Sequence, residues 1–194
     1  MSPSRFVAPA SVSGYAFKRL NRLSKRARML YEPTVDNTSD VGAILIRSIP
    51  SDVNVVIPLA QLRPTVLLAD DHNGFLDRLC KLLSRDFDVL GTVSNGRDAV
   101  SKAVCWHPDV IVLDVSMPEL NGLEAVLEMR KMGVSSKLLF LTVHESSDYV
   151  SRAFENGADA FIFKSRMNSE LLLAIRKVLA GGTFVSTKEN LRIC

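Results

Sequence analysis

The sequence predicts an α/β domain: a doubly wound (βα)5 sheet of five parallel strands over residues 64–184, behind a basic and mostly irregular N-terminal extension of residues 1–63. Three observations carry this prediction. Short, mostly apolar runs recur near 65–69, 87–92, 109–113, 138–142 and 159–163. Helical periodicity fills the intervals between them and follows the last. The runs Val66-Leu67-Leu68-Ala69 and Val110-Ile111-Val112-Leu113 are apolar without alternation, as strands are when helices cover both faces of a parallel sheet.

The helices follow in order. Phe75, Leu76, Leu79, Leu82 and Leu83 trace one face of the first, and Ala99, Val100, Ala103 and Val104 mark the second. Leu123, Val126 and Leu127 define the third; Tyr149, Val150, Ala153 and Phe154 define the fourth, which Gly157 ends. Leu171, Leu172, Ile175, Val178 and Leu179 form the fifth, closed by Gly181-Gly182, and residues 185–194 remain as a tail. In the extension, residues 1–14 are rich in Ser, Pro, Ala and Val. Residues 17–31 place Phe17, Leu20, Leu23, Ala27 and Leu30 at near-helical spacing among six Lys/Arg, the outline of a basic amphipathic helix. Residues 41–62 have strand-like apolarity with no identifiable partner.

Net charge of +3 hides an asymmetry. Residues 1–63 carry nine Lys/Arg against four Asp/Glu, and residues 64–194 carry fifteen against seventeen, so a mildly acidic domain follows a basic arm. That arm offers only nonspecific phosphate attraction, so no specific nucleic-acid binding is expected. Cys80, Cys105 and Cys194 are scattered without CxxC spacing, which indicates neither a disulfide framework nor a zinc site; Cys80 and Cys105 are expected in the core. No apolar stretch reaches membrane-spanning length and no secretory signal pattern opens the chain, so a reducing, cytoplasmic location is expected and a membrane role is not.

Four of the predicted strands end in polar chemistry. The first is followed by Asp70-Asp71, the third by Asp114, the fourth ends in Thr142 and the fifth is followed by Lys164. Each alone has a plain structural reading: Asp70-Asp71 as a helix cap, Asp114 ahead of Met117-Pro118 as a turn residue, Thr142 as a strand end and Lys164 as a solvated cation. Together, at the carboxyl ends of one open sheet, they mark a site. A carboxylate such as Asp114 can attack phosphorus and form an aspartyl phosphate. Bringing it to a phosphoryl donor concentrates negative charge, which calls for a hard cation such as Mg2+ with oxygen ligands. Asp71 and Asp114 would supply carboxylates, Asp70 would act directly or through water, and a backbone carbonyl near Ser116 would complete the set. Lys164 and the Thr142 hydroxyl would each take a phosphoryl oxygen.

The segment from about Pro64 to Phe184 resembles the receiver domain of bacterial two-component response regulators. The motifs are Ala69-Asp70-Asp71-His72, Leu113-Asp114-Val115-Ser116-Met117-Pro118 with Asn121-Gly122, Leu141-Thr142, and Phe161-Ile162-Phe163-Lys164. Within that family it is most similar to the receivers of NarL/LuxR-type regulators. The resemblance implies a flavodoxin-like fold, Asp114 as phosphoacceptor, Asp70 and Asp71 at magnesium, Thr142 and Lys164 as the switch, and Phe161 as the aromatic that turns inward when Thr142 moves. It implies a histidine kinase or histidine phosphotransfer protein as partner. A face of the fourth helix, fifth strand and fifth helix, with Tyr149, Arg152, Phe161 and Arg176, is the expected protein-binding or homodimer surface. Ser165 stands where many receivers have proline. The chain ends at Cys194 with no room for a helix-turn-helix output domain, so a stand-alone signalling receiver is expected, which catalyses only its own phosphorylation and dephosphorylation. The alternative is a truncated or fragmentary DNA-binding regulator of the same branch. A phosphohydrolase resembling haloacid dehalogenases would need a second acid two residues after Asp114, where Ser116 stands.

Overall fold

A computed structural model describes residues 63–143 and 147–186, together with the backbone of three earlier strands. The chain divides into two compact units, Met1–Arg63 and Pro64–Cys194. In the first, β1 (Tyr31–Asp36), β2 (Ala43–Ser48) and β3 (Asn54–Pro58) form an antiparallel sheet in the order β1-β2-β3. Ile44 of β2 stands opposite Val35 on one side and Ile57 on the other. The expectation of a mostly irregular extension is thereby corrected over these segments. The apolar runs of residues 41–62 pair with each other and with a strand at 31–36 whose composition, YEPTVD, hid it. Of the amphipathic helix expected at 17–31, residues 17–30 lie outside the described residues, and Tyr31 opens β1.

The second unit alternates strand and helix throughout: β4 (Thr65–Ala69), α1 (Asn73–Leu83), β5 (Asp88–Val93), α2 (Gly96–Trp106), β6 (Val110–Leu113) and α3 (Gly122–Lys131). It continues with β7 (Lys137–Thr142), α4 (Ser147–Glu155), β8 (Ala160–Phe163), a 3-10 turn (Lys164–Arg166), α5 (Met167–Leu179) and β9 (Phe184–Val185). All pairs in the sheet are parallel, in the order β5-β4-β6-β7-β8-β9. Five strands were expected; β9 is a sixth, and it runs across the expected domain boundary at residue 184.

Period-two alternation within fully apolar strands divides the core in two. Leu67, Ile111, Phe140 and Phe161 face α2, α3 and α4, whereas Val66, Val112, Leu139 and Ile162 face α1 and α5. The helix stripes largely match their periodicity, with two exceptions. Leu127 is 40% exposed, and the buried face of α3 is Ala125, Val126 and Met129 instead. Cys105 is exposed and Cys80 only half-buried, so neither is the core cysteine expected. Among the described residues, no helix is long and apolar enough to cross a membrane.

The phase of α3 is testable. Met129→Ala should cost about 2–5 kcal/mol in denaturant unfolding, as large-to-small changes in a packed core do. Leu127→Ala should cost less than about 0.5 kcal/mol. A larger loss at Leu127 would contradict the packing.

Candidate functional site

Parallel pairing puts the polar strand ends side by side. Asp114 N–H donates to the Ala69 carbonyl at 2.8 Å, and Asp70 N–H donates to the Val93 carbonyl at 3.0 Å, so both acids leave the sheet at one level. Thr142 closes β7 in register with Phe163, the residue before Lys164. Glycine holds the loop after β6. A Cβ on Gly122 would overlap the Asp114 carbonyl, and one on Gly96 would overlap the Leu120 carbonyl, so these helix starts can lie against the loop only because they lack side chains. Asn121 and Glu124 form a capping box that fixes the start of α3.

At the centre stands one cation between two buried acids. Lys164 Nζ lies 2.6 Å from Asp70 Oδ2 and 2.7 Å from Asp114 Oδ2. Those carboxylates are 2% and 5% exposed, too deep for water to take the place of the lysine. The Phe75 ring backs the ammonium, 4.5 Å from its centroid to Nζ. Burial alone would pull the Lys164 pKa down. The hydrogen bonds to Asp114 and Asp70, and their charge, outweigh that and hold it above the ordinary lysine value. Asp114 Oδ1, on the far side of the same carboxylate, is a buried oxygen with no hydrogen-bond partner among the described residues.

The other expected residues are placed as follows. Asp71 is at the rim, where His72 Nδ1 stands 2.7 Å from its Oδ1; His72 N–H donates to Asp70 Oδ1 at 3.0 Å. Asp70, Asp71 and His72 offer ligand atoms within 4.8 Å of one another. Ser116 is exposed in the loop after Asp114, and Thr142 is fully buried. Phe161 is also fully buried, packed against Phe140 and edge-on to Phe163, so the ring expected to turn inward is already inside. Arg152 is exposed on α4, and Arg176 of α5 pairs with Asp86 at 2.9 Å, just after α1. Sequence reasoning missed the Asp70–Lys164 contact and gave no part in the site to His72 and Phe75. The signal for the last two was their place directly after the Asp pair, at the start of α1. A cavity of about 440 Å3 opens there, lined by His72, Asn73, Phe75, Arg78, Val143 and Lys164.

The donor set fits a hard divalent cation. It consists of carboxylate oxygens carrying more negative charge than Lys164 neutralises, and it includes one buried oxygen with no hydrogen-bond partner among the described residues.

Replacing the cation exposes its electrostatic role. Lys164→Met should lose about 3–5 kcal/mol of stability at neutral pH, because two buried carboxylates lose their counter-ion. The folded-state lysine pKa is raised, so its contribution is complete below the unfolded value of about 10.4 and disappears as pH rises through the folded one. Urea unfolding of both proteins from pH 7 upward should therefore show the gap closing on the alkaline side. A gap that widens with pH would contradict the pairing.

The comparisons with known proteins agree with this geometry. The family profile described as "Response regulator receiver domain" matches residues 66–176. The nitrate/nitrite response regulator protein NarL of Escherichia coli is 33% identical over 124 residues, covering 63% of this chain and 57% of that protein. A putative transcriptional regulator of Pseudomonas aeruginosa is 35% identical over 117 residues, covering 60% and 56%. Among solved structures, a LuxR-family DNA-binding response regulator from Staphylococcus aureus superposes with a TM-score of 0.58 at 31% identity, covering 60% of this chain and 98% of that one. The signal receiver domain of the putative response regulator NarL from Mycobacterium tuberculosis gives 0.60 at 25% identity, covering 62% and 98%. The chain spans about half the length of the curated relatives it matches. The family match covers more than half of this chain, and with strand tips built as described, the chain belongs to the response regulator receiver family.

Proposed function

We propose that this chain is the phosphoacceptor of a two-component phosphorelay, taking a phosphoryl group onto Asp114 from the phosphohistidine of a histidine kinase or phosphotransfer protein. The observation that carries the reading is the Asp114 carboxylate: buried, with Oδ2 held by Lys164 and Oδ1 without a hydrogen-bond partner among the described residues. An Asp114 oxygen attacks phosphorus as the phosphorus–nitrogen bond breaks, and the electron pair of that bond leaves on the imidazole. The Lys164 ammonium lies 2.7 Å from the carboxylate that becomes the acyl phosphate, so a short shift away from Asp70 would bring it to a phosphoryl oxygen. The Thr142 hydroxyl, at the neighbouring strand tip, would hydrogen-bond a second phosphoryl oxygen. Asp70, Asp71, Asp114 and the Ser116 backbone carbonyl would hold Mg2+, which when bound neutralises charge on the phosphoryl oxygens. Ser116 offers no second acid at that position, so the acyl phosphate would outlast the transfer and serve as a signal. The responding surface would be the face formed by α4, β8 and α5, available to a protein partner or a second copy.

A second reading, the receiver portion of a DNA-binding regulator, is favoured by relatives that are themselves transcriptional regulators. A gel-shift assay separates the two. The signalling reading predicts only weak, salt-sensitive retardation by this chain.

The acceptor assignment predicts that acetyl phosphate or a phosphorylated kinase, with magnesium, labels the chain at Asp114 alone, mapped by peptide mass. Asp114→Asn should remove the label. Undiminished labelling of that variant would refute the assignment.

A further inference from the structure

β9 is the element that the receiver reading does not require. It is a two-residue strand on the outer edge of β8, yet it is fastened by more than strand pairing. Phe184 N–H donates to the Asp159 carbonyl at 3.2 Å, and Ser186 N–H donates to the Phe161 carbonyl at 2.9 Å. Ser186 Oγ accepts from Phe163 N–H at 3.3 Å and itself donates to Glu170 Oε2 of α5. Ser186 is 3% exposed and Glu170 8%, so a hydroxyl and a carboxyl group have been taken out of water to make this contact. Such groups are costly to bury unless paired, which makes the arrangement a built socket for the segment Phe184-Val185-Ser186.

The socket is joined to the strand-tip site by the chain itself. Phe163, whose N–H holds Ser186 Oγ, immediately precedes Lys164. Arg166, in the turn that Lys164 opens, lies 3.6 Å from the other oxygen of Glu170. The two sides of the socket thus flank the lysine that bridges Asp70 and Asp114. A phosphoryl group on Asp114 would set new anionic oxygens beyond the carboxylate, and the ammonium would turn from Asp70 to meet them. That movement would be imposed on the turn between the two sides of the socket. The Phe163–Ser186 bond is already long, and little distortion is needed to lose it.

Resting on the acceptor reading above, we propose that Phe184–Ser186 is a latch in the groove between β8 and α5, and that phosphoryl occupancy of Asp114 releases it, freeing the edge of β8. The coupling is a contiguous set of contacts with two arrangements, latched and unlatched, biased by one ligand.

Hydrogen exchange on the full chain, with and without magnesium and beryllofluoride, tests the latch without any substitution. The amides of Phe184–Ser186 should exchange about tenfold faster with beryllofluoride, while those of α1 hold their rate. Ser186→Ala should exchange fast in both states and, by reciprocity, bind beryllofluoride more tightly than wild type. A response confined to residues 114–122, with β9 protection unchanged or increased, would overturn the latch and leave the acceptor reading standing. No response anywhere would overturn both.

Discussion

The Lys164 ammonium, placed between Asp70 and Asp114, is the contact on which the site depends. Two carboxylates at adjacent strand tips, both nearly inaccessible to water, could not share that volume without a cation between them. The lysine must come from a third strand and be long enough to reach across. Lys164 does so from the end of β8, and the Phe75 face backs its ammonium. The two acids carry more negative charge than one ammonium neutralises, and Asp114 Oδ1 has no hydrogen-bond partner among the described residues, so the donor set suits a divalent cation.

The fold turns this local electrostatics into a defined geometry. Parallel strands in the order β5-β4-β6-β7-β8-β9 bring the ends of β4, β6, β7 and β8 to one edge. Helices on both faces keep the strands dry, which is why their residues are apolar without alternation. The loop carrying Asp114 has little freedom, because the backbones of Gly96 and Gly122 lie directly against it. Side chains at either position would push the loop, and with it the Asp114 carboxylate, away from Lys164.

Much of this was legible in the sequence, and the failures have identifiable causes. Uniform apolar runs such as Val110–Leu113 have few alternative structures, and their positions matched. Leu127 and Cys105 were misplaced because a few apolar residues per helix leave its rotational phase poorly determined; Met129 and Ala125 carry the burial of α3 instead. β9 escaped notice because two residues after a Gly-Gly stop show no periodicity, and their hold on β8 comes from nonlocal partners, Asp159, Phe161 and Glu170. The β1–β3 sheet was missed for the same reason, since pairing register is not written in either strand alone. At the site, residue types and strand-end positions were readable. Which acid meets Lys164 was not, because Asp70 and Asp71 differ only in the direction each leaves β4. Asp70 turns inward to the lysine and Asp71 stays at the rim beside His72.

The central claim is that Lys164 and Asp114 form one electrostatic unit, and a double-mutant cycle on stability measures it most directly. Asp114→Asn, Lys164→Met and their combination would be compared by urea unfolding at neutral pH. The account predicts that the combined variant is less damaged than the two single losses added together, with a coupling of about 1–3 kcal/mol. Losses that add to within about 0.5 kcal/mol would contradict it, since independent sites behave that way.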